Sequence, residues 1–314
     1  MANLACVGAG NVGRAWAIAF ARGGHAVRLY DRDDDAVQQA LVLIGQNVDD
    51  LKSAGLVGED DLLLDRIAIA PSLAAAVDGA VHVQESVKED LSIKCTVFEE
   101  IDSLAPPDVV IASSSSAFLS SQFVGGTQHP SRCLVAHPFN PPYLIPLVEL
   151  CGHPGTDPDL LERTQALMVS SGMSPIVLKK EIKAFLLNRL QSAVLSEAMF
   201  LVGEGYCSAE DLDRAMSDGL GLRWSFMGPF MTGHLNASGG FRDYVRLLGD
   251  AFQSTSKELC RDYDWSPALV DTVANAMEAK IPADRVSQGQ RWRDRRLMAQ
   301  RLHKRSQPGF TDER

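Results

Sequence analysis

A glycine-rich segment near the N-terminus constrains the fold of this chain more than any other feature. Gly8, Gly10 and Gly13 follow an apolar run at Leu4–Val7 and stand where an amphipathic stretch begins. A second strand-like run then leads to Asp31, 18 residues after Gly13. A Gly-x-Gly-x-x-Gly motif alone is weak evidence. The strand before it, the helix after it and the acidic residue beyond are together typical of a dinucleotide-binding unit.

Each position of this motif has a physical task. Gly8 permits the tight turn, Gly10 lets the backbone approach a pyrophosphate, and Gly13 lets the helix pack closely on the sheet. The helix N-terminus carries unsatisfied amide groups and partial positive charge, which favour phosphate binding. We expect Asn11 and Val12 to offer those amides.

The acidic residue also bears on the choice of cofactor. We expect the Asp31 carboxylate to accept hydrogen bonds from the adenosine ribose hydroxyls. The 2′-phosphate of NADP would lie against this carboxylate, although the neighbouring Arg32 would reduce the repulsion. The sequence therefore favours NAD.

The first half of the chain alternates short apolar runs with longer amphipathic stretches. This alternation predicts a parallel sheet covered by helices on both faces, which is an α/β, Rossmann-type, doubly wound fold. The predicted strands are Leu4–Val7, Ala26–Tyr30, Val81–Gln84, Val109–Ala112 and Cys133–Ala136, and the predicted helices are Val12–Arg22, Asp34–Ser53 and Lys88–Leu104.

The pattern changes near Lys180–Lys183, after which strand signals nearly vanish. We therefore expect an NAD-binding domain at residues 1–181 and an all-helical C-terminal domain at residues 182–314. A long apolar helix at Phe185–Gly203 would serve as a dimer surface or as a buried core helix, and we expect a homodimer. Further predicted helices cover Asp211–Met216, Phe241–Leu259 and Pro267–Ala279.

Composition and charge exclude several classes of function. The formal net charge of −10 argues against nonspecific nucleic-acid binding, which depends on Lys and Arg. Apolar runs are broken within about ten residues, too short to cross a membrane. The N-terminus has no basic region before Gly8, so we expect no secretory signal.

The six cysteines are scattered along the chain and form no Cys-x-x-Cys pair. We therefore expect no structural zinc site and no metal. Single reduced thiols in a chain of this length favour a cytoplasmic location. The cysteines are Cys6, Cys95, Cys133, Cys151, Cys207 and Cys260.

A basic stretch, Arg291–Arg305, is the local exception to the acidic composition. An arm for an acidic partner would have this composition. So would a C-terminal helix with a solvated basic face, and we favour the helix. Its packing residues would be Trp292, Leu297, Met298 and Leu302.

A second set of motifs identifies a family. Ser113-Ser-Ser-Ser-Ala precedes His137-Pro-Phe-Asn-Pro-Pro-Tyr, and Leu147-Val-Glu-Leu and Phe185-Leu-Leu-Asn-Arg follow. Together with the glycine motif, this pattern resembles the 3-hydroxyacyl-CoA dehydrogenase family over nearly the whole chain. The resemblance implies hydride transfer from a hydroxyl-bearing C3 to NAD.

The resemblance also assigns roles to individual residues. His137 would be the general acid/base, and Glu149 would pair with its imidazole. Histidine suits proton transfer near neutral pH, and a carboxylate on the far nitrogen fixes its tautomer. Ser116 and Asn188 would hold the reacting oxygen. The residues placed near the nicotinamide and its ribose are Glu89, Lys94 and Asn140.

Two departures from acyl-CoA dehydrogenases point to a substrate without CoA. Aligned without gaps, Asn47 and Ala54 stand where those enzymes carry serine and lysine contacts to CoA. Asp49 and Asp50 lie between them and would repel a CoA phosphate. Arg291-Trp-Arg-Asp replaces the family's lysine-rich C-terminal segment. We therefore expect oxidation of the 3-hydroxyl of a small hydroxy acid. The motifs at Asn140–Tyr143, Met216–Arg223 and His234–Asn236 resemble those of family members that oxidise L-gulonate, which is the first choice.

Several alternatives stay open. L-Carnitine and 3-hydroxybutyryl-CoA are alternative substrates, and an NAD-binding protein without turnover is an alternative of another class. Arg223, in a glycine-bearing turn, is the candidate for binding a substrate carboxylate, although a surface or interdomain salt bridge would also suit it. A quaternary ammonium group would need an aromatic cage. Residues available for such a cage are Phe139, Tyr143, Trp224 and Phe226.

Overall fold

A computed structural model describes residues 2–259 and 262–307, so that Cys260 lies outside the described residues. In the described chain, eight strands form a single sheet. The strands are β1 Asn3–Val7, β2 Ala26–Tyr30, β3 Ile67–Ile69, β4 His82–Glu85, β5 Val110–Ser113, β6 Cys133–Pro138, β7 Leu147–Gly152 and β8 Ser174–Val177.

The strands lie in the order β3-β2-β1-β4-β5-β6-β7-β8. Neighbouring strands pair in parallel, except β6 and β7, which are antiparallel. The chain runs from β1 to β2 and β3 on one side and then returns to β4 on the other, so the strand order reverses beside β1. In open α/β sheets, ligands bind outside the carboxyl ends of the strands at such a reversal. The predicted Rossmann-type, doubly wound fold is confirmed.

Helices cover both faces of this sheet because alternate residues of each strand point to opposite sides. On β1, Leu4 and Cys6 belong to one apolar cluster, and Ala5 and Val7 belong to another. The helices are α1 Asn11–Arg22, α2 Asp34–Ser53, α3 Leu73–Val77, α4 Leu91–Leu104, α5 Ser120–Phe123, α6 Pro158–Ser170, α7 Phe185–Gly203, α8 Ala209–Arg214, α9 Gly221–Trp224, α10 Pro229–Leu235, α11 Gly240–Glu258, α12 Pro267–Glu278 and α13 Val286–Ser306. Short 3₁₀ segments occupy Leu64–Arg66, Pro130–Arg132 and Ala283–Arg285, and a π-helical segment occupies Ala215–Leu220.

The start of α4 places a functional residue at the carboxyl edge of the sheet. The sequence predicted a helix from Lys88, but the helix begins at Leu91. The reason is the cap, because the Asp90 side chain accepts a hydrogen bond from the Ile93 amide. Glu89 consequently lies in the loop before the helix.

The described chain divides into two compact units. The first contains residues up to Asn188 together with the segment from Asp294 on, and the second is Arg189–Arg293. The sequence prediction had placed everything from residue 182 on in the helical domain. The end of α13 instead packs on the first unit, where Met298 is buried in the core. The predicted packing residues Leu297 and Leu302 lie beside it.

The second unit is helical, and no strand occurs among its described residues. Only Phe185 and Met199 of α7 are buried, whereas Leu190 is 65% and Leu195 44% exposed. Of the two alternatives for this helix, the buried core helix does not hold within one copy of the chain. By length and composition alone, α7 is a candidate to cross a membrane.

Candidate active site

The glycine motif forms the turn between β1 and α1. Gly8 has a φ of +103°, and a Cβ there would lie 2.6 Å from the Ser86 carbonyl oxygen. A Cβ on Gly13 would collide with the Gly8 carbonyl oxygen, so the helix passes closely over the turn. A Cβ on Gly10 would meet no atom within 4 Å, and no side chain caps α1. The open helix N-terminus therefore fits the pyrophosphate of a dinucleotide.

Asp31 lies directly after β2 beside this turn. Its Oδ2 accepts a hydrogen bond from the Ala9 amide at 2.7 Å, which ties the carboxylate to the glycine loop. Arg32 is directed elsewhere, because its Nη2 lies 2.5 Å from Glu100 Oε2. Both partners of this ion pair are exposed, and the Asp31 charge still acts on Arg32.

His137 and Glu149 face each other across the antiparallel pair β6 and β7. His137 Nδ1 lies 2.8 Å from Glu149 Oε2. Both side chains are buried, at 5% and 1% exposed. The His137 ring also packs on Phe185, with ring centroids 5.2 Å apart. Since Nδ1 binds the carboxylate, Nε2 is left for a substrate.

Glu149 is held on its other side by the start of α7. Its Oε1 accepts hydrogen bonds from the Leu186 amide at 2.8 Å and the Leu187 amide at 3.1 Å. The backbone turns into the helix through Ala184 and Phe185, whose φ angles of 66° and 50° are left-handed. Non-glycine residues adopt this region at an energetic cost. This cost is tolerated at the start of α7, where the helix amides bind the Glu149 carboxylate.

The four serines at the end of β5 and directly after it have different surroundings. Three of their hydroxyl groups bond to other protein side chains, whereas the Ser116 hydroxyl forms no hydrogen bond within the described chain. Ser116 is also exposed, and its carbonyl oxygen accepts from Asn188 Nδ2 at 3.2 Å. This arrangement leaves Ser116 as the serine available to a substrate. The engaged pairs are Ser113 with Glu85, Ser114 with Trp16, Gln84 and Ser86, and Ser115 with Glu89.

Glu89 holds the serine loop in addition to lining the site. Its Oε1 accepts from the Ser115 hydroxyl at 2.6 Å and from the amides of Ser116 and Ala117 at 2.9 and 3.0 Å. Burial alone would raise the pKa of Glu89, but the Ser115 hydroxyl, the Lys94 charge and the Ala117 amide together lower it. The carboxylate is therefore an anionic clamp on the loop.

Lys94 is almost fully buried beneath this clamp. Its Nζ lies 3.0 Å from Glu85 Oε1 and 3.2 Å from Glu89 Oε2. Sequence reasoning missed Glu85 altogether. The sequence feature that could have indicated Glu85 is the polar pair Gln84-Glu85 at the carboxyl end of an apolar strand. Ligands bind at this end of the strands in open α/β sheets.

A cleft of about 330 Å³ brings half of the predicted residues together. Gly8, Gly10, Gly13 and Asp31 form the adjoining glycine turn. Arg223 lies on α9 in the second unit, where it is exposed and forms no ion pair within the described chain. The predicted residues that line the cleft are Val12, Glu89, Lys94, Ser116, His137, Asn140 and Asn188.

Family models match almost all of the folded chain. The model for the 3-hydroxyacyl-CoA dehydrogenase, NAD binding domain, matches residues 3–182. The model for the 3-hydroxyacyl-CoA dehydrogenase, C-terminal domain, matches residues 185–276. These ranges include all the residues of the cleft.

Individual relatives are similar over nearly their full lengths. Lambda-crystallin from Oryctolagus cuniculus is 44% identical over 299 residues, with 93% of each chain covered. L-Carnitine dehydrogenase from Pseudomonas sp. is 33% identical over 298 residues, covering 95% of this chain and 92% of the relative. Among solved structures, the NAD⁺-dependent dismutase 5-formyl-3-hydroxy-2-methylpyridine 4-carboxylic acid 5-dehydrogenase has a TM-score of 0.81 at 27% identity, covering 98% of this chain and 100% of that one.

Proposed function

Because the chain belongs to the 3-hydroxyacyl-CoA dehydrogenase family, we propose that it oxidises the 3-hydroxyl of a small hydroxy acid, with L-gulonate as the substrate. It is an NAD-dependent oxidoreductase that acts on a hydroxyl group. The observation that carries the proposal is the buried His137–Glu149 pair, at 2.8 Å, in the cleft that adjoins the glycine turn. A protein that only binds NAD has no need of such a pair, which argues against the non-catalytic alternative.

His137 would remove the hydroxyl proton through Nε2. Glu149 would stabilise the imidazolium that results and hold the ring in one orientation. Two backbone amides keep the Glu149 carboxylate in place, so its geometry does not depend on the substrate. Bound NAD supplies the hydride acceptor.

Ser116 and Asn188 would hold the reacting oxygen. The Ser116 hydroxyl is uncommitted, and Asn188 Nδ2 donates one hydrogen to the Ser116 carbonyl and has a second one to offer. Hydrogen bonds from these groups would favour the developing negative charge on the substrate oxygen.

One feature supports a substrate without CoA. Asp49 is exposed on α2, where it would repel a CoA phosphate. We propose that Arg223 binds the substrate carboxylate, since its guanidinium is exposed and forms no ion pair in the described chain.

L-Carnitine is the second candidate because relatives at 33–35% identity are L-carnitine dehydrogenases. One aromatic residue proposed for the ammonium cage is not available. Tyr143 is only 4% exposed, and its hydroxyl donates to Asp294 at 3.4 Å. Phe139 does line the cleft. 3-Hydroxybutyryl-CoA is the remaining alternative.

The decisive experiment measures NADH formation with L-gulonate, L-carnitine and 3-hydroxybutyryl-CoA at matched concentrations. We expect L-gulonate to have the highest kcat/KM. Arg223→Met should raise KM for L-gulonate and leave NAD binding unchanged, and Arg223→Lys should restore only part of the loss. A higher kcat/KM for either alternative substrate would overturn L-gulonate, and an unchanged KM in Arg223→Met would remove Arg223 from the site.

We also propose that the enzyme works in the cytoplasm as a homodimer. The five cysteines in the described chain are free thiols, as expected for a reducing compartment. Immunofluorescence against a cytoplasmic marker would test the location, and an organellar or extracellular signal would contradict it.

A further inference from the structure

Two arginine side chains from distant parts of the sequence meet at one backbone oxygen of the first unit. Arg22 ends α1, and its Nη1 donates to the Tyr143 carbonyl oxygen at 2.6 Å. Arg301, on α13, donates to the same oxygen at 3.1 Å and to the Leu144 carbonyl oxygen at 2.9 Å. Arg305 follows Arg301 by four residues and so lies on the same side of α13.

Within the described residues, these charges have no carboxylate partner. In residues 2–259 and 262–307, neither Asp nor Glu forms an ion pair or hydrogen bond with Arg22, Arg301 or Arg305. Asp294 lies on the same helix, but it accepts from the Tyr143 hydroxyl. The cluster is therefore held by neutral acceptors alone.

One donor of the cluster has no partner in the part of the chain that the structure describes. Arg22 Nη2 is buried and forms no hydrogen bond there. Burial, and then the charges of Arg301 and Arg305, lower the pKa of Arg22 to about 9, so the group is still charged at neutral pH. A half-buried cation with one buried, unpaired donor is costly, and a bound anion would remove that cost.

We propose that Arg22, Arg301 and Arg305 form a binding site for a small divalent oxyanion of the phosphate type. Guanidinium groups match the tetrahedral oxygens of phosphate with paired donors. Three positive charges favour a dianion over a single carboxylate. Arg22 supplies the unpaired donor, and Arg305 is exposed to solvent.

This site is distinct from the NAD cleft. Arg22 and Gly10 stand at opposite ends of α1, a helix of 12 residues, which corresponds to about 18 Å. The carbonyls that hold the arginines belong to the segment between β6 and β7, which carry His137 and Glu149. A bound oxyanion is therefore expected to stabilise the segment behind the dyad.

The test is isothermal titration calorimetry of inorganic phosphate into protein saturated with NAD, at constant ionic strength. Saturation with NAD fills the glycine turn, which also attracts phosphate. A phosphomonoester, glucose 6-phosphate, is titrated in parallel to distinguish free phosphate from a phosphorylated metabolite. Binding of either ligand supports the site, and binding of neither overturns it.

Variants assign the binding to these residues. Arg305→Gln should weaken binding at least about tenfold, since it removes one charge-assisted hydrogen bond, and Arg22→Met should abolish it. The control Arg295→Gln makes the same charge change at an exposed position of α13. Equal affinities in wild type and Arg305→Gln, or equal losses in Arg305→Gln and Arg295→Gln, would overturn the proposal.

A stability measurement separates this site from a purely structural role. In chloride buffer, Arg305→Gln should keep or slightly raise the melting temperature, because it relieves repulsion from Arg22 and Arg301. In phosphate, wild type should gain stability by mass action and the variant should gain much less. The same difference between wild type and Arg305→Gln in both buffers would contradict the proposal.

Discussion

At the scale of single residues, His137 and Glu149 are the pair on which turnover should depend. His137→Gln should lower kcat about 10²–10⁴-fold, the usual share of general acid/base catalysis, and leave NAD binding nearly unchanged. Glu149→Gln should have a related effect through lost orientation. The losses should not add in the double variant, because both residues act on one proton transfer.

Steady-state kinetics and NAD fluorescence titrations of the three variants check this prediction. His303→Gln, at an exposed position of α13, is the matched control and should behave as wild type. A double variant that loses the product of the two single fold-changes would contradict the dyad.

Asp31 is the residue that should set cofactor preference. Asp31→Asn keeps an oxygen that can accept from the Ala9 amide but removes the charge that repels a 2′-phosphate. The ratio of kcat/KM with NAD to that with NADP should fall in this variant. Glu100→Gln, which releases Arg32 from its ion pair, should lower this ratio less than Asp31→Asn does. The double variant should lower the ratio most. Comparable wild-type efficiencies with NAD and NADP would contradict the assignment.

At the scale of elements, Glu89 should act through the loop that carries Ser116. Glu89→Gln keeps the shape of the side chain but weakens three hydrogen bonds to Ser115, Ser116 and Ala117. Hydrogen bonds to a charged group are each worth about 1.5–3 kcal/mol, so kcat should fall about tenfold or more.

Separate measurement of kcat and of KM for NAD distinguishes this role from a cofactor contact. A rise in KM for NAD with unchanged kcat would make Glu89 a contact to the ribose, as the family resemblance implies. Glu162→Gln, exposed on α6, is the control for the loss of one carboxylate.

Elements with sustained apolar spacing were predictable from the sequence, and the two edge strands were not. Ala26–Tyr30, Asp34–Ser53 and Phe185–Gly203 have the predicted bounds. β3 and β8 were missed, because β3 has only three residues and β8 contains Pro175, a residue type depleted in strands. Their positions at the sheet edges are set by pairing with β2 and β7.

Some features of the candidate site were also predictable from the sequence, and others were not. The family resemblance pointed to His137 and Glu149 as partners, and their contact follows from the register of β6 and β7. The family resemblance supplied Ser116, but the choice among the four serines was not predictable from the residues alone. That choice depends on distant partners, Glu85 and Glu89, which take up the hydroxyls of Ser113 and Ser115.

At the scale of the whole molecule, the exposed side of α7 should hold two copies together. Leu190 is 65% exposed, and Val194 and Leu195 are more than one third exposed. A stable interface buries on the order of 1,000 Å² or more, with an apolar centre. Leu190→Glu should therefore shift the protein from dimer to monomer.

Size-exclusion chromatography with light scattering measures this shift. Val42→Glu is the matched control, because Val42 is 61% exposed on α2 of the first unit, and this variant should remain dimeric. A monomeric wild type, or a Leu190→Glu variant that stays dimeric, would place the interface elsewhere or remove it.

The return of α13 to the first unit has a consequence for how the protein is made. Domains usually fold in the order in which the ribosome releases them, at about 5–20 residues per second. Here Met298 and Arg301 pack on the first unit, but they are synthesised after the whole of Arg189–Arg293. The apolar surface of the first unit that α13 covers therefore stays exposed for roughly 5–20 s during synthesis. During translation, the cofactor-binding half is begun first and finished last.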